Sequence, residues 1–372
     1  MMIKQLFLYI SMLLALSTCV KPYYPEISKY DRVVVIEGTL TDDGTPPLIY
    51  LSYSSKVGTY KTELISGADV FIQTSDGQTY NLTEKDKGTY TYTQTMFPVT
   101  QGVSYQLVVK HEGNVFKSTM EKLLPSSTIT DIAFEVKSDL KGVNLLISTE
   151  ASDFASKYYV WRLTETWKFR SPIFSSAKSV NKEICYATTK DELELGTTEL
   201  FSQNRFDRFK LLYIPVSSPK LFYRYSILVE QLSISRSSYE YLDYVKKTNE
   251  SGGSLFDPIP ANMTGNITSA SAPVIGNFQV SSLKSKRIYI DRSDLPRDLM
   301  ISSGMEYCVL KEVSMGASQE KDRELFAASM IVMDTVQELN GPFVRFATAI
   351  PCFDCTATGS PATPPAWWVE KK

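Results

Sequence analysis

Short runs of β-forming residues, each closed by a turn signal, follow one another from residue 30 to residue 122. Val33–Gly38 runs into the loop Thr41–Pro47, and Leu48–Tyr53 comes next. Ala68–Thr74 alternates inward and outward residues, meets the hairpin signal Ser75, Asp76, Gly77, and resumes as Gln78–Leu82. Gly88–Thr93, Gly102–Lys110 and Val115–Ser118 complete the series, the last two joined through Glu112, Gly113 and Asn114. Roughly seven strands in about 90 residues call for two packed sheets, an immunoglobulin-like or prealbumin-like sandwich over residues 30–122. No cysteine lies in that span, so the buried disulfide of antibody domains is excluded. Asp42, Asp43, Asp69 and Asp76 sit in turns, where short carboxylates serve the backbone more often than they hold calcium.

Pro125–Ser127 marks a boundary, and a second β-rich domain is expected over residues 125–350. Ile129–Val136 and Gly142–Thr149 read as strands joined by a turn at Lys137, Ser138 and Asp139. Lys157–Trp167 and Leu221–Ile234 are long aromatic strands, and a fibronectin-like sandwich with helical insertions would accommodate both. Ser237–Lys247 places Tyr241, Leu242 and Val245 on one helical face and stops before Gly252 and Gly253. Glu320–Asn340 fits either a helix or a strand. The fold class is mainly β, two sandwiches in tandem, closed by a cysteine-, proline- and tryptophan-containing tail over residues 351–372.

The first residues bear on the compartment. Lys4, the apolar run Leu6–Leu16, and Ser17 with Thr18 ahead of Cys19 form a secretory signal over residues 1–18. That run is too short for a bilayer, which takes about 20 residues to cross. The Leu16-to-Cys19 stretch resembles a bacterial lipobox, with Thr18 where Gly, Ala or Ser is usual. Acylation of Cys19 would then anchor the chain in the lipid bilayer, stably once two or more acyl chains are attached. Residues 19–29 read as a tether with two prolines. Glu26 is the only acid in the tether, so a surface-export signal is not supported and the choice between periplasmic and surface-facing stays open.

Five cysteines and one histidine bound the chemistry. With Cys19 in the anchor, Cys185, Cys308, Cys352 and Cys355 form an even set, which in an exported protein favours disulfides in one of three connectivities. A Cys352–Cys355 bridge would close a small ring and restrain little chain. The expected pairing therefore links each to the distant Cys185 or Cys308 and staples the tail to the second domain. A redox site of the thioredoxin kind needs a strand-to-helix setting, whereas Cys352 and Cys355 precede a Pro-rich tail. His111 falls at a strand end beside a hairpin and reads as a surface residue. A single His removes most zinc sites with two or more His ligands, and no metal or cofactor is expected. No nucleophile elbow, zinc-protease helix, P-loop or dinucleotide-binding turn occurs. The net charge is −2, so nothing draws the whole chain toward nucleic acid. The carboxylate pair of a glycoside hydrolase leaves no motif, which makes a hydrolase the least supported reading.

Aromatic residues are the remaining lead. Strand side chains alternate, so some of Tyr158, Tyr159, Trp161 and Trp167 would point outward unless both faces of their strand are covered. Exposed rings would stack on a glycan or anchor a peptide. The competing reading is a tyrosine-rich core, with Trp367 and Trp368 docking as a plug for the tail.

Gly252–Ile267 and Pro273–Phe278 resemble the middle signature of a Bacteroidota lipoprotein family catalogued as domain of unknown function 4249. Val34–Gly38, Asp153–Trp161 and Cys352–Cys355 fit the same family, so the resemblance covers nearly the whole chain after the signal. The end, Gly359–Trp368, keeps the family's turn and aromatic terminus but lacks its lysine. The resemblance implies an outer-membrane lipoprotein of the cell envelope, beside a TonB-dependent transporter, with no established activity. The expectation is a non-enzymatic binding or accessory protein. A stand-alone carbohydrate- or peptide-binding surface module is the alternative.

Overall fold

The computed structural model describes residues 32–54, 62–151, 155–173, 182–250, 265–309, 311–314, 330–337 and 343–371. Cys19 with its signal and tether, Asp153, and the Gly252–Thr264 part of the signature lie outside the described residues.

The first stretch contains β1 (Val34–Thr41), β2 (Leu48–Tyr53), β3 (Glu63–Leu64), β4 (Asp69–Thr74), β5 (Thr79–Asp86), β6 (Thr89–Thr91), β7 (Ser104–His111), β8 (Asn114–Ser118) and β9 (Glu121–Lys122). β5 pairs with β4 through Thr79–Leu82 and with β6 through Thr83–Asp86, so one ladder turns a corner and faces itself. Ile36, Leu51, Ile72, Tyr90, Leu107 and Phe116 fill the space between. The hairpins follow their turn chemistry. Gly77 takes φ +87° after Asp76, and Glu112 and Gly113 both take positive φ, the requirement of a tight two-residue hairpin. His111 is not the bare surface residue expected. Its Nε2 lies 3.2 Å from the Tyr53 hydroxyl, and its side chain is only 13% exposed.

The second stretch adds β10 (Thr128–Val136), β11 (Gly142–Glu150), β12 (Tyr158–Arg170), β13 (Ile184–Thr197), β14 (Phe209–Pro215), β15 (Arg224–Ile234), helix α1 (Arg236–Glu250), β16 (Ile267–Thr268) and β17 (Val274–Asp291). The sheet β10-β11-β14 packs on β13-β12-β15-β17, three strands on four, as in a fibronectin-type sandwich. β18 (Lys311–Ser314), β19 (Met330–Gln337) and β20 (Phe343–Ala349) form a separate three-stranded sheet. The described part of Glu320–Asn340 is thus a strand.

α1 starts where the Ser235 hydroxyl accepts the Ser238 N–H at 3.2 Å. It lays Tyr239 and Leu242 on Val160, Leu232 and Ile234, covering the outer face of β12 and β15.

β17 belongs to both sandwiches. Val274–Ser281 pair parallel with β1, and Ser282–Asp291 pair antiparallel with β15. Phe278 and Val280 complete the first core, while Ile290 joins the second. The boundary expected near residue 125 is therefore crossed by a later strand, and one hydrogen-bonded path runs through both units. Asp42 holds the point where β17 changes partner: its carboxylate accepts the Leu283 N–H at 2.8 Å and the Ser282 hydroxyl at 2.7 Å.

The same joint explains the glycines of the signature stretch. Gly265 bridges to Gly276, and a Cβ at Gly265 would sit 1.8 Å from the Gly276 carbonyl oxygen. A Cβ at Gly276 would meet the Ile36 carbonyl oxygen at 1.9 Å. Neither approach leaves room for a side chain. Asn266 then bonds the free edge of β17. It donates to the Phe278 carbonyl at 2.7 Å and accepts the Phe278 N–H at 2.8 Å. The Val34–Gly38 and Pro273–Phe278 stretches are neighbours in space because β1 and β17 pair residue for residue.

Candidate functional site

The aromatic residues of β12 are not a ligand surface. Tyr159 and Trp161 point between the two sheets, where Trp161 is 0% exposed and donates its indole N–H to Gln231 at 2.9 Å. Tyr158 faces the other way, but α1 covers that side and its ring packs 5.3 Å from Tyr239. Trp167 packs at the end of the second core, with the Lys220 ammonium 5.5 Å from its ring. Strand alternation misleads here because both faces are covered. Deeper along the same strand, buried Glu165 accepts from Lys220 at 2.6 Å and from the Tyr225 hydroxyl at 2.7 Å. Such a pairing offsets the cost of taking a carboxylate out of water.

Exposed rings gather instead at the end of the second sandwich where β12 and β17 finish and β13 and β15 begin. Two disulfides bring the chain terminus there. Cys355 joins Cys185 at the start of β13, and Cys352 joins Cys308 beyond β17. The pairing is the distant one expected, and the tail is stapled to the second sandwich. Backbone bonds reinforce it: Cys355 N–H to the Lys182 carbonyl, and Tyr186 N–H to the Pro361 carbonyl, both at 3.0 Å. The second of these fills part of the open edge of β13.

The last residues then lie on the outer face of the four-stranded sheet. Trp368 is buried edge-on against Tyr186 and Tyr289, with ring centroids 5.1 and 5.7 Å apart. Glu370 accepts from Lys168 at 3.0 Å, from the Tyr186 hydroxyl at 3.1 Å and from the Trp368 indole at 3.2 Å. Burial pushes the Glu370 carboxyl upward, but these donors outweigh it and hold its pKa below the usual range. Burial, together with the hydrogen bond to Glu370, raises the Tyr186 phenol to about 12. Lys371 reaches Asp294 at 2.8 Å.

Trp367 behaves differently from its neighbour. It stands on the Arg287 guanidinium, 3.4 Å from ring centroid to Cζ, and keeps 38% of its surface exposed. Tyr307 and Met300, 57% and 81% exposed, lie on the connection that Cys308 ties to the tail, and Tyr223 and Val369 are exposed as well. Exposed apolar side chains on a stapled scaffold are candidates for contact with another molecule.

Trp367 and Trp368 were legible from the sequence as docking candidates, but Arg287, Tyr289 and Tyr186 were not. Arg287, Tyr289 and Asp291 recur at every second residue, the period of a strand face, within a segment too polar to stand out.

Fold and site define a tandem β-sandwich protein whose terminal segment is closed onto the second sandwich by two disulfides. The chain belongs to the family described as Domain of unknown function (DUF4249), whose profile matches residues 20–287. A search of curated proteins finds no match. The matched range ends within β17, so Cys308 and the tail lie beyond it while Cys185 lies inside.

Proposed function

We propose that this protein is a lipid-anchored outer-membrane protein of the cell envelope with a binding or accessory role beside a TonB-dependent transporter. The observation that carries the reading is the stapled end of the second sandwich, where Trp367, Tyr307 and Met300 stay exposed on a segment held by two disulfides. A rigid, apolar, aromatic-bearing end is suited to a protein partner, because little side-chain and loop entropy is lost on docking. The secretory signal and Cys19 supply the anchor, and the strand shared by both sandwiches makes a stiff link from the anchored end to that surface.

Purification from native membranes in mild detergent tests it. The expected result is an assembly containing an outer-membrane β-barrel transporter, lost when Trp367 and Tyr307 are replaced by Ala. Recovery of free monomer alone would overturn the transporter role. Cys19→Ala should abolish incorporation of labelled fatty acid and release the chain from membranes.

The exposed face of Trp367 also supports the second reading, a glycan- or peptide-binding module acting alone. That reading expects ligand retention by the purified chain, with Trp367→Ala removing it.

A further inference from the structure

The two bridges of the stapled end differ in access. Cys185, Cys352 and Cys355 are each 0% exposed, whereas Cys308 is only partly buried. A thiol in solution therefore meets the Cys308–Cys352 bridge first, from the Cys308 side, while both sulfurs of Cys185–Cys355 lie beneath protein. Accessible bridges exchange readily and buried ones resist.

The bridges also differ in what they hold. The turn around Cys352 and Cys355 is tied down without either of them. The Ile173 N–H donates to the Cys352 carbonyl at 3.0 Å, the Ser171 hydroxyl to the Pro351 carbonyl at 2.7 Å, and the Cys355 N–H to the Lys182 carbonyl at 3.0 Å. On the other side of the accessible bridge, the connection from β17 is fixed only as far as Ser302. Leu299 is fully buried, and the Ser302 N–H donates to the Val216 carbonyl at 2.7 Å.

Among the described residues, every hydrogen bond of Ser303–Val309 closes within residues 302–309. Glu306 gathers the stretch, accepting from the Ser302 hydroxyl and the Ser303 N–H, both at 2.8 Å. The Tyr307 hydroxyl lies 3.5 Å from the Met305 Sδ, and the Cys308 Sγ 4.0 Å from it. Only packing joins this unit to the body: Met305 lies against Phe169, Cys185 and Cys355, and a Cβ at Gly304 would sit 3.0 Å from Pro219. Gly304 takes φ +72°, a conformation that glycine enters and leaves freely. Ser303–Val309 is therefore a small folded flap, pivoted at Ser302 and Gly304 and latched at its far end by one accessible disulfide.

We propose that Ser303–Val309 is a redox-released flap: an external dithiol opens Cys308–Cys352 alone, which frees Tyr307 while Cys185–Cys355 keeps the tail docked and Trp367 on Arg287. One thiolate of the dithiol bonds to Cys308 Sγ, the bond to Cys352 breaks, and Cys352 departs as the thiolate. The second thiolate then displaces Cys308, so the dithiol is oxidised to its own disulfide and the bridge takes up two electrons and two protons. The purpose of such a flap rests on the partner role proposed above, since Tyr307 belongs to the exposed set assigned to that partner.

Graded dithiothreitol on the purified mature chain tests the proposal, each step quenched in acid, alkylated in denaturant and read by peptide mass spectrometry. The expected result is labelling of Cys308 and Cys352 at a reductant concentration about tenfold or more below that for Cys185 and Cys355. At that concentration amide exchange across Ser303–Val309 should speed up about tenfold or more, while the Tyr186 N–H, bonded to the tail, stays protected. Cys308→Ser with Cys352→Ser should show the same fast exchange without reductant. Simultaneous or reversed opening of the two bridges, or selective opening with unchanged exchange, would overturn the proposal. The reductant series needs no variant, so it stands even where the substitutions disturb folding. It also involves no partner: free monomer from membranes would leave the flap untouched, and a failed flap would leave the transporter role untouched.

Discussion

Asn266→Ala should cost the fold about 2–4 kcal/mol, although Asn266 lies in no long strand and away from the stapled end. The side chain supplies both hydrogen bonds of Phe278, at 2.7 and 2.8 Å, on the edge of β17 opposite β1. Phe278 is fully buried and Asn266 nearly so, so truncation strands an N–H and a C=O out of reach of water. Each orphaned group costs about 1–3 kcal/mol, partly offset because the amide no longer has to be desolvated. The bond from Asn266 to Glu121, at 3.0 Å, is part-exposed and adds little. Asn266→Asp keeps the acceptor for the Phe278 N–H but sets a carboxylate against the Phe278 carbonyl. Its deficit should be at least as large at pH 7. Burial against that carbonyl raises the acid's pKa, so the deficit should shrink as the pH falls toward the ordinary aspartate value near 4, where the protonated acid can donate. Urea unfolding is the assay. All four tryptophans lie at residue 161 or later, so fluorescence reads the second sandwich while circular dichroism reads both. The loss should appear first in the dichroism, and amide exchange at Phe278 should speed up. A variant within about 0.5 kcal/mol of the parent, with unchanged exchange, would refute the reasoning.

Cys185→Ala with Cys355→Ala opens a link spanning 170 residues. Loop entropy sets a ceiling of about 5 kcal/mol, and a measured loss of about 2–4 kcal/mol is expected. Protease should then trim the tail, and an unchanged digest would show that the staple does not hold it. The Tyr186 phenol is raised from 10 to about 12, so the folded state holds its proton through a window in which the unfolded chain releases it. The stability from its bond to Glu370 is therefore complete below pH 10 and is lost as the pH rises toward 12. Tyr186→Phe should flatten that decline in thermal melts. Trp161→Phe leaves the Gln231 oxygen without its donor and a gap in the core, for a loss of about 1–3 kcal/mol in urea unfolding. Ligand binding at the stapled end should not change in that variant.

Much of the fold was legible because its causes are local. Turn glycines, alternating apolar residues and the helical spacing of Ser237–Lys247 act within a few residues of themselves, and they mark the strands of the first sandwich and the helix. β13 and β17 escaped notice because edge and shared strands need no clean apolar alternation. The candidate site was legible only in its cysteines and terminal tryptophans, since Arg287, Tyr289 and Tyr186 gain meaning from the face on which the tail comes to rest.

The sequence by itself determined the mainly β class, the tandem plan and the family. It also set which residues bend the chain, because hairpin turns and close backbone approaches admit few side chains. Only the tertiary structure decided that β17 completes both cores and that Trp161 is buried while Trp367 is not. Those outcomes depend on contacts between residues far apart in the chain. Nothing in a strand's own pattern tells it which partner it will have or what will cover its second face.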